Sequence, residues 1–187
     1  MRKLTVFNNV SLDGYFIDAQ GDMSWAHNQD PEWQEFTADN ARGGEAMLVF
    51  GRVTYDMMRS FWPTPAATET MPDVARTMNE SPKVVFSRTL DAATWQNTQL
   101  VKGDIAAETH RLKETSDRDM VIMGSGTIVS QLTAAGLIDE YQIIVHPVVL
   151  GSGRTMFEGV PTRVNLALTK TRSFVNGNVV SWYTPAA

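Results

Sequence analysis

The chain has no cysteine, which removes disulfides, thiol nucleophiles and cysteine-ligated metals together and fits a reducing compartment, the cytoplasm. Basic charge is scarce as well. Sixteen Lys and Arg stand against 21 Asp and Glu, a net charge of −5, and the basic residues are scattered rather than striped. A polyanion needs a basic face, so no nucleic-acid partner is expected. Long apolar runs are also missing. Residues 1–9 form a short apolar run broken by amides, too brief for a signal-peptide core, and no later stretch reaches the ~20 residues that span a bilayer. His27, His110 and His146 stand isolated, without metal-ligand spacing. With neither a Gly-x-Ser-x-Gly elbow nor a cysteine nucleophile, a hydrolase is disfavoured.

What is present is an ordinary globular composition. Of 187 residues, 43% are hydrophobic and 20% charged, which suits one buried core, so a single domain over residues 1–187 is expected. Apolar runs of strand length alternate with amphipathic helical patterns. Residues 4–10, 46–50, 83–86, 99–101 and 120–123 are short, rich in β-branched or large apolar side chains and bounded by Gly, Pro or Ser, as buried strands are. Between them, 31–42, 54–61, 72–80, 105–114 and 128–135 place apolar residues three and four apart. Asp30 before Pro31 predicts an N-cap with a first-turn proline, and Gly136 predicts a helix stop. Toward the end, 140–149, 165–174 and 179–184 are strand-like with no helix between them, and Asn176-Gly177 predicts a two-residue hairpin. Residues 62–71 read as loop. The predicted fold class is α/β, a mostly parallel central sheet with antiparallel C-terminal strands.

Three strand ends carry residues suited to a phosphorylated ligand, and in open α/β sheets ligands bind beyond the carboxyl ends of strands. At Phe50-Gly51-Arg52-Val53-Thr54-Tyr55 a strand stops at glycine and a helix opens with Arg and Thr. Free backbone N–H groups and a guanidinium then sit where a phosphate is held. At Phe86-Ser87-Arg88-Thr89 a hydroxyl and a second guanidinium close the next strand. Two arginines suit an extra phosphate better than a bare ribose, whose usual partner is a carboxylate. Met123-Gly124-Ser125-Gly126-Thr127-Ile128 is a glycine-rich strand-to-helix turn that a pyrophosphate can approach closely. Val129 stands where the dinucleotide fingerprint needs a small residue and no Lys follows the glycines, so neither common phosphate motif is met. Taken alone, Gly-Ser-Gly reads first as a tight turn.

The order of these motifs resembles the dihydrofolate reductase-like proteins, closest to the reductase domain of the bifunctional riboflavin-biosynthesis deaminase-reductase. The matching stretches are Ser11-Leu12-Asp13-Gly14-Tyr15-Phe16, Phe50-Gly51-Arg52-Val53-Thr54-Tyr55, Ser87-Arg88-Thr89-Leu90, Gly124-Ser125-Gly126-Thr127, and Gly136-Leu137-Ile138-Asp139-Glu140 leading to His146-Pro147-Val148-Val149-Leu150-Gly151. They span nearly the whole chain. The resemblance implies a dihydrofolate reductase-like three-layer α/β/α fold and an NADPH-dependent reductase of 5-amino-6-(5-phosphoribosylamino)uracil type, with a dihydrofolate or pterin reductase as the alternative. It further implies that Gly51, Arg52 and Thr54 line the cofactor phosphates, that Ser87 and Arg88 hold the 2′-phosphate, and that Gly124, Ser125, Gly126, Thr127 and Ile128 cover the pyrophosphate. Such proteins are often dimers, which implies a homodimer here.

In the same family the loop at residues 11–16 closes over nicotinamide and substrate, which makes Asp13 the candidate for orienting substrate or relaying a proton. Read from the residues alone, Asp13-Gly14 is a turn. Trp25 is a substrate-stacking candidate beside its reading as core packing. Glu35 lies where folate reductases place a pterin-binding carboxylate, beside its reading as part of a solvated acidic face with Asp30, Glu32 and Asp39. No metal is expected, and no deaminase-like partner domain is expected within residues 1–187. A non-catalytic NADPH-binding sensor stands as the reading from another functional class.

Overall fold

The computed structural model describes residues 1–27, 30–42 and 46–186. Its elements run β1 (Leu4–Ser11), β2 (Tyr15–Asp18), α1 (Pro31–Arg42), β3 (Met47–Gly51), α2 (Arg52–Phe61), α3 (Pro65–Thr70), α4 (Pro72–Glu80), β4 (Lys83–Phe86), β5 (Thr98–Val101), α5 (Ile105–Thr115), β6 (Met120–Met123), α6 (Gly126–Ala134), β7 (Glu140–His146), β8 (Gly153–Thr155), β9 (Leu166–Ser173) and β10 (Val179–Pro185), with a short 3-10 turn at Ser24–Ala26. Eight strands form one sheet in the order β5-β4-β3-β6-β1-β7-β10-β9. From β5 to β7 neighbouring strands are parallel, and β10 then runs antiparallel to both β7 and β9.

Side chains alternate across a strand, so each buried strand feeds two cores. Leu4, Val6, Val49, Val84, Met120 and Ile122 face α5 and α6 through Leu112, Ile128, Val129 and Leu132. Leu48, Phe50 and Val85 face α2 and α4 through Tyr55 and Met78. Ile144 and Val180 face α1 through Trp33 and Phe36. Helices therefore cover both faces, giving the dihydrofolate reductase-like three-layer arrangement. Each fully buried branched side chain contributes about 1.5–3 kcal/mol, which is why these short β-branched runs are held in the interior.

Local signals act as their chemistry dictates. Asp30 accepts from the Trp33 N–H at 3.0 Å, and Gly136 ends α6 at φ 66° while the Leu137 N–H returns to the Leu132 carbonyl. Four sequence expectations need correction. Residues 62–71 contain α3, with Thr64 as N-cap and Pro65 as its first residue, a signature hidden by a loop-like composition. α2 begins at Arg52, two residues before the 54–61 of the apolar periodicity, and directly after Gly51 as the strand-end motif predicts. β7 stops at His146 because Pro147 has no N–H for the ladder. The hairpin between β9 and β10 has three loop residues rather than two: Phe174 exchanges bonds with Gly177 and Asn178, and only Gly177 has positive φ, at 89°. A two-residue type I′ turn would need positive φ at Asn176 as well. β2 and β8, too short to read from sequence, pair as a separate two-stranded flap.

Candidate active-site cleft

Because β1, β3, β4, β5 and β6 are parallel, their carboxyl ends lie along one edge of the sheet. A cleft of about 510 Å³ opens there, a volume typical of small-molecule sites. All three phosphate-site motifs predicted from sequence line it: Gly51, Arg52 and Thr54; Ser87 and Arg88; and Gly124, Ser125, Gly126, Thr127 and Ile128.

The β3–α2 and β6–α6 turns are locked together. Gly124 and Ser125 are successive left-handed residues, with φ of 64° and 57°. A non-glycine residue there costs about 1–2 kcal/mol, and hydrogen bonds around Ser125 compensate. Its N–H and hydroxyl both donate to Thr54 Oγ1, at 3.1 and 3.0 Å, and its Oγ accepts from the Gly51 N–H at 2.7 Å. Glycine permits the approach. A Cβ on Gly124 would lie 3.0 Å from Thr54, one on Gly51 would lie 3.1 Å from the Ile128 and Ser125 side chains, and one on Gly126 would lie 2.7 Å from the Phe16 ring of the flap. The result is a backbone-lined cradle at the start of α6, whose first N–H groups have no partner within the helix and whose dipole favours an anion.

The arginines flank this cradle. Arg52 donates to Thr89 Oγ1 at 2.6 Å and approaches Asp56 at 3.5 Å. Ser87 Oγ accepts from the N–H groups of Thr89 and Leu90, which shapes the turn that holds Arg88, exposed at the rim. Sequence reasoning missed Arg154 on β8, Asn8 and Asn9 on β1, and Asp104, which all line the cleft. Asp104 is spent on capping α5 through the Ala107 N–H at 2.9 Å, and its place as an N-cap was legible from sequence. The other three carry no local signal, being single residues on elements that tertiary contacts bring to the cleft.

Three predicted residues lie elsewhere. Asp13 is exposed and outside the cleft lining. Its carboxylate accepts the Ser11 hydroxyl at 2.6 Å and the N–H groups of Leu150 and Gly151 at 3.1 and 2.7 Å, tying the β1–β2 turn to the segment entering β8. The Ser11 hydroxyl chiefly, with those backbone donors, holds the Asp13 carboxyl below the usual carboxylate range. Glu35 is exposed on α1, outside the cleft, while Trp33 and Phe36 turn inward. Trp25 donates to the Asp22 carbonyl at 3.3 Å and stands edge-on to His146 at 5.5 Å, away from the cleft lining.

His146 is buried at the end of β7, 2.8 Å from Asn9 Oδ1 through Nε2. Burial pushes its imidazole down to about 4, against about 6.5 in an unfolded chain. As pH falls from 6.5 toward 4, the unfolded chain takes up a proton that the folded one refuses. Stability fully present above 6.5 is therefore lost across that window, by roughly 3 kcal/mol. Urea denaturation at pH 7 and pH 4.5 should show this loss in the wild type and a smaller one in His146→Gln. Equal losses would remove His146 as the source.

The family described as the RibD C-terminal domain matches residues 2–180. YyaP of Bacillus subtilis (strain 168), described as an uncharacterized protein, is 29% identical over 178 residues, 95% of this chain and 92% of its own. The crystal structure of a putative riboflavin biosynthesis protein from Shewanella sp. PV-4 superposes with a TM-score of 0.78 at 24% identity, covering 99% of both chains. Dihydrofolate reductase from Enterococcus faecalis, solved with NADP(H), superposes at 0.69 with 16% identity, covering 99% of this chain and 97% of that one. The deaminase/5-amino-6-(5-phosphoribosylamino)uracil reductase of Thermotoga maritima does so at 0.69 with 16% identity, over 99% of this chain and 57% of that one.

Proposed function

The chain belongs to the RibD C-terminal domain family, and from that premise we propose that it is an NADPH-dependent reductase. Its substrate is a small pyrimidine-type heterocycle, as in 5-amino-6-(5-phosphoribosylamino)uracil reduction. The observation that carries this reading is the Gly51–Thr54–Ser125 interlock, which fixes the β3–α2 and β6–α6 turns against each other so that the start of α6 opens into the cleft, at an approach that any Cβ at Gly51 or Gly124 would crowd. NADPH fits that chemistry: the cradle and the start of α6 would hold its pyrophosphate, and Arg88, with Arg52 beside it, its 2′-phosphate. Bound NADPH supplies the hydride.

The chain's own residues bind, orient and exclude water. Phe16 of the flap lies over Gly126, so the β2–β8 pair closes the cofactor end of the cleft and brings Arg154 to its rim. Asp13 acts at a distance as the clamp of that flap. A folate substrate is disfavoured because Glu35, the carboxylate proposed for pterin binding, faces solvent. The deciding experiment is NADPH oxidation followed by absorbance against 5-amino-6-(5-phosphoribosylamino)uracil, dihydrofolate and dihydropterins. Oxidation with the pyrimidine alone is expected. Tight NADPH binding without oxidation by any of them would move the assignment to a sensor.

Cofactor preference follows from the rim. NADPH should bind at least tenfold more tightly than NADH, since a guanidinium–phosphate hydrogen bond is worth about 1.5–3 kcal/mol. Arg88→Ala should remove most of that difference by weakening NADPH alone. Titration calorimetry giving equal affinities in the wild type would refute the assignment of Ser87 and Arg88.

A further inference from the structure

One polar group in the cleft lies apart from the phosphate cradle and has no role so far. Phe7, Asn9 and Ser11 of β1 stand opposite Gln142, Ile144 and His146 of β7, so Asn9 and His146 share the sheet face that α1 covers. Asn9 is half-buried and lines the cleft. β1 neighbours β6 and lies three strands from β4 in the sheet order, so Asn9 is on the side of the cradle opposite Ser87 and Arg88, the side that the proposed cofactor placement leaves for a substrate ring.

The Asn9 amide is held at one end only. His146 Nε2 contacts its Oδ1 at 2.8 Å, while Nδ2 has no partner among the described residues. The imidazole is itself fixed, 3% exposed and wedged edge-on between Trp25 at 5.5 Å and Trp33 at 5.9 Å. A neutral imidazole has one N–H, and facing a carbonyl oxygen that N–H must be on Nε2. Burial keeps the ring neutral, and with Oδ1 facing Nε2 the single N–H donates to Oδ1 and both Nδ2 hydrogens turn away from His146.

We propose that Asn9 is a specificity-determining residue whose Nδ2 donates to a ring carbonyl or ring nitrogen acceptor of the substrate heterocycle, and that His146 is the positioning residue that fixes the amide in that orientation. This inference rests on the reductase reading and names the chemistry its substrate must present. A substrate with only a donor at that point is rejected, because the Asn9 N–H groups then lack an acceptor.

The tautomer is tested first, without substrate. Imidazole ¹⁵N spectra at pH 7 should show His146 protonated on Nε2 and bare on Nδ1; protonation on Nδ1 alone would reverse the amide and overturn the proposal. Kinetics follow with NADPH and 5-amino-6-(5-phosphoribosylamino)uracil as the probe. Asn9→Asp, which replaces the donors by an acceptor of the same size, should raise KM about tenfold or more with a smaller change in kcat and unchanged NADPH affinity. His146→Gln, which keeps a donor, should retain more of the wild-type KM than His146→Leu. An unchanged KM in Asn9→Asp would overturn the assignment. If the wild type does not turn over this probe, the reductase reading for it fails, and NMR decides the inference in the NADP⁺-loaded protein: the probe shifts the Asn9 Nδ2H₂ signals if the contact exists, and leaves them in place if the proposal is wrong.

Discussion

Asp13→Asn is expected to lower kcat about 100-fold while NADPH affinity stays nearly intact. The carboxylate spends one oxygen on the Ser11 hydroxyl and the Leu150 N–H and the other on the Gly151 N–H. An asparagine has only one acceptor oxygen, and its NH₂ would confront one of those donors, so the clamp between the β1–β2 turn and the entry to β8 opens. The flap carrying Phe16 and Arg154 then loses its seat over the cleft. A misplacement of about 1 Å is enough for a loss near 100-fold. The hydrogen bonds that hold the cradle, from Gly51 and Thr54 to Ser125, and the rim arginines do not involve Asp13, so most of the NADPH affinity should survive the loss of Phe16 as a cover. Because its hydrogen bonds hold the Asp13 carboxyl low, the clamp stays ionised throughout neutral-pH assays. Steady-state turnover with the substrate identified by the oxidation panel, beside NADPH fluorescence titration, checks this. Unchanged turnover would reduce Asp13 to a simple turn residue.

Asp139→Ala is expected to destabilise the fold by about 1.5–3 kcal/mol, the scale of a charge-assisted hydrogen bond lost by a buried ammonium whose partner is half-exposed. The Lys113 side chain is only 4% exposed and its Nζ lies 2.6 Å from Asp139 Oδ2. The same oxygen accepts the Leu4 N–H at 2.7 Å, so the carboxylate joins α5, the start of β1 and the entry to β7. Without it the ammonium keeps, among the described residues, only the Leu137 carbonyl at 3.0 Å. Urea unfolding should show the loss, and adding Lys113→Met should recover part of it by removing the stranded charge. Equal stability of the wild type and Asp139→Ala would mean that solvent reaches Lys113 far more readily than its burial indicates.

Legibility in the sequence followed the range of each interaction. α4 and β6 have the bounds expected from periodicity, because apolar spacing and flanking prolines are local signals. The glycine and arginine strand ends could be placed around one cleft for a related reason: parallel strands put their carboxyl ends on the same edge whatever the details of packing. β2 and β8 were not legible, since strands of four and three residues carry too little pattern and exist through pairing with each other. Arg154 was missed with them.

By itself, then, the sequence determined an α/β sheet with antiparallel C-terminal strands and a glycine-lined edge suited to an anion, all consequences of period, turn chemistry and strand direction. Only the tertiary structure decided what single polar side chains do. Asp13 meets Leu150, and Asn9 meets His146, each across 137 positions of chain. A side chain's donors and acceptors are assigned by whichever partners folding brings within about 3 Å, and no local pattern encodes a partner so distant.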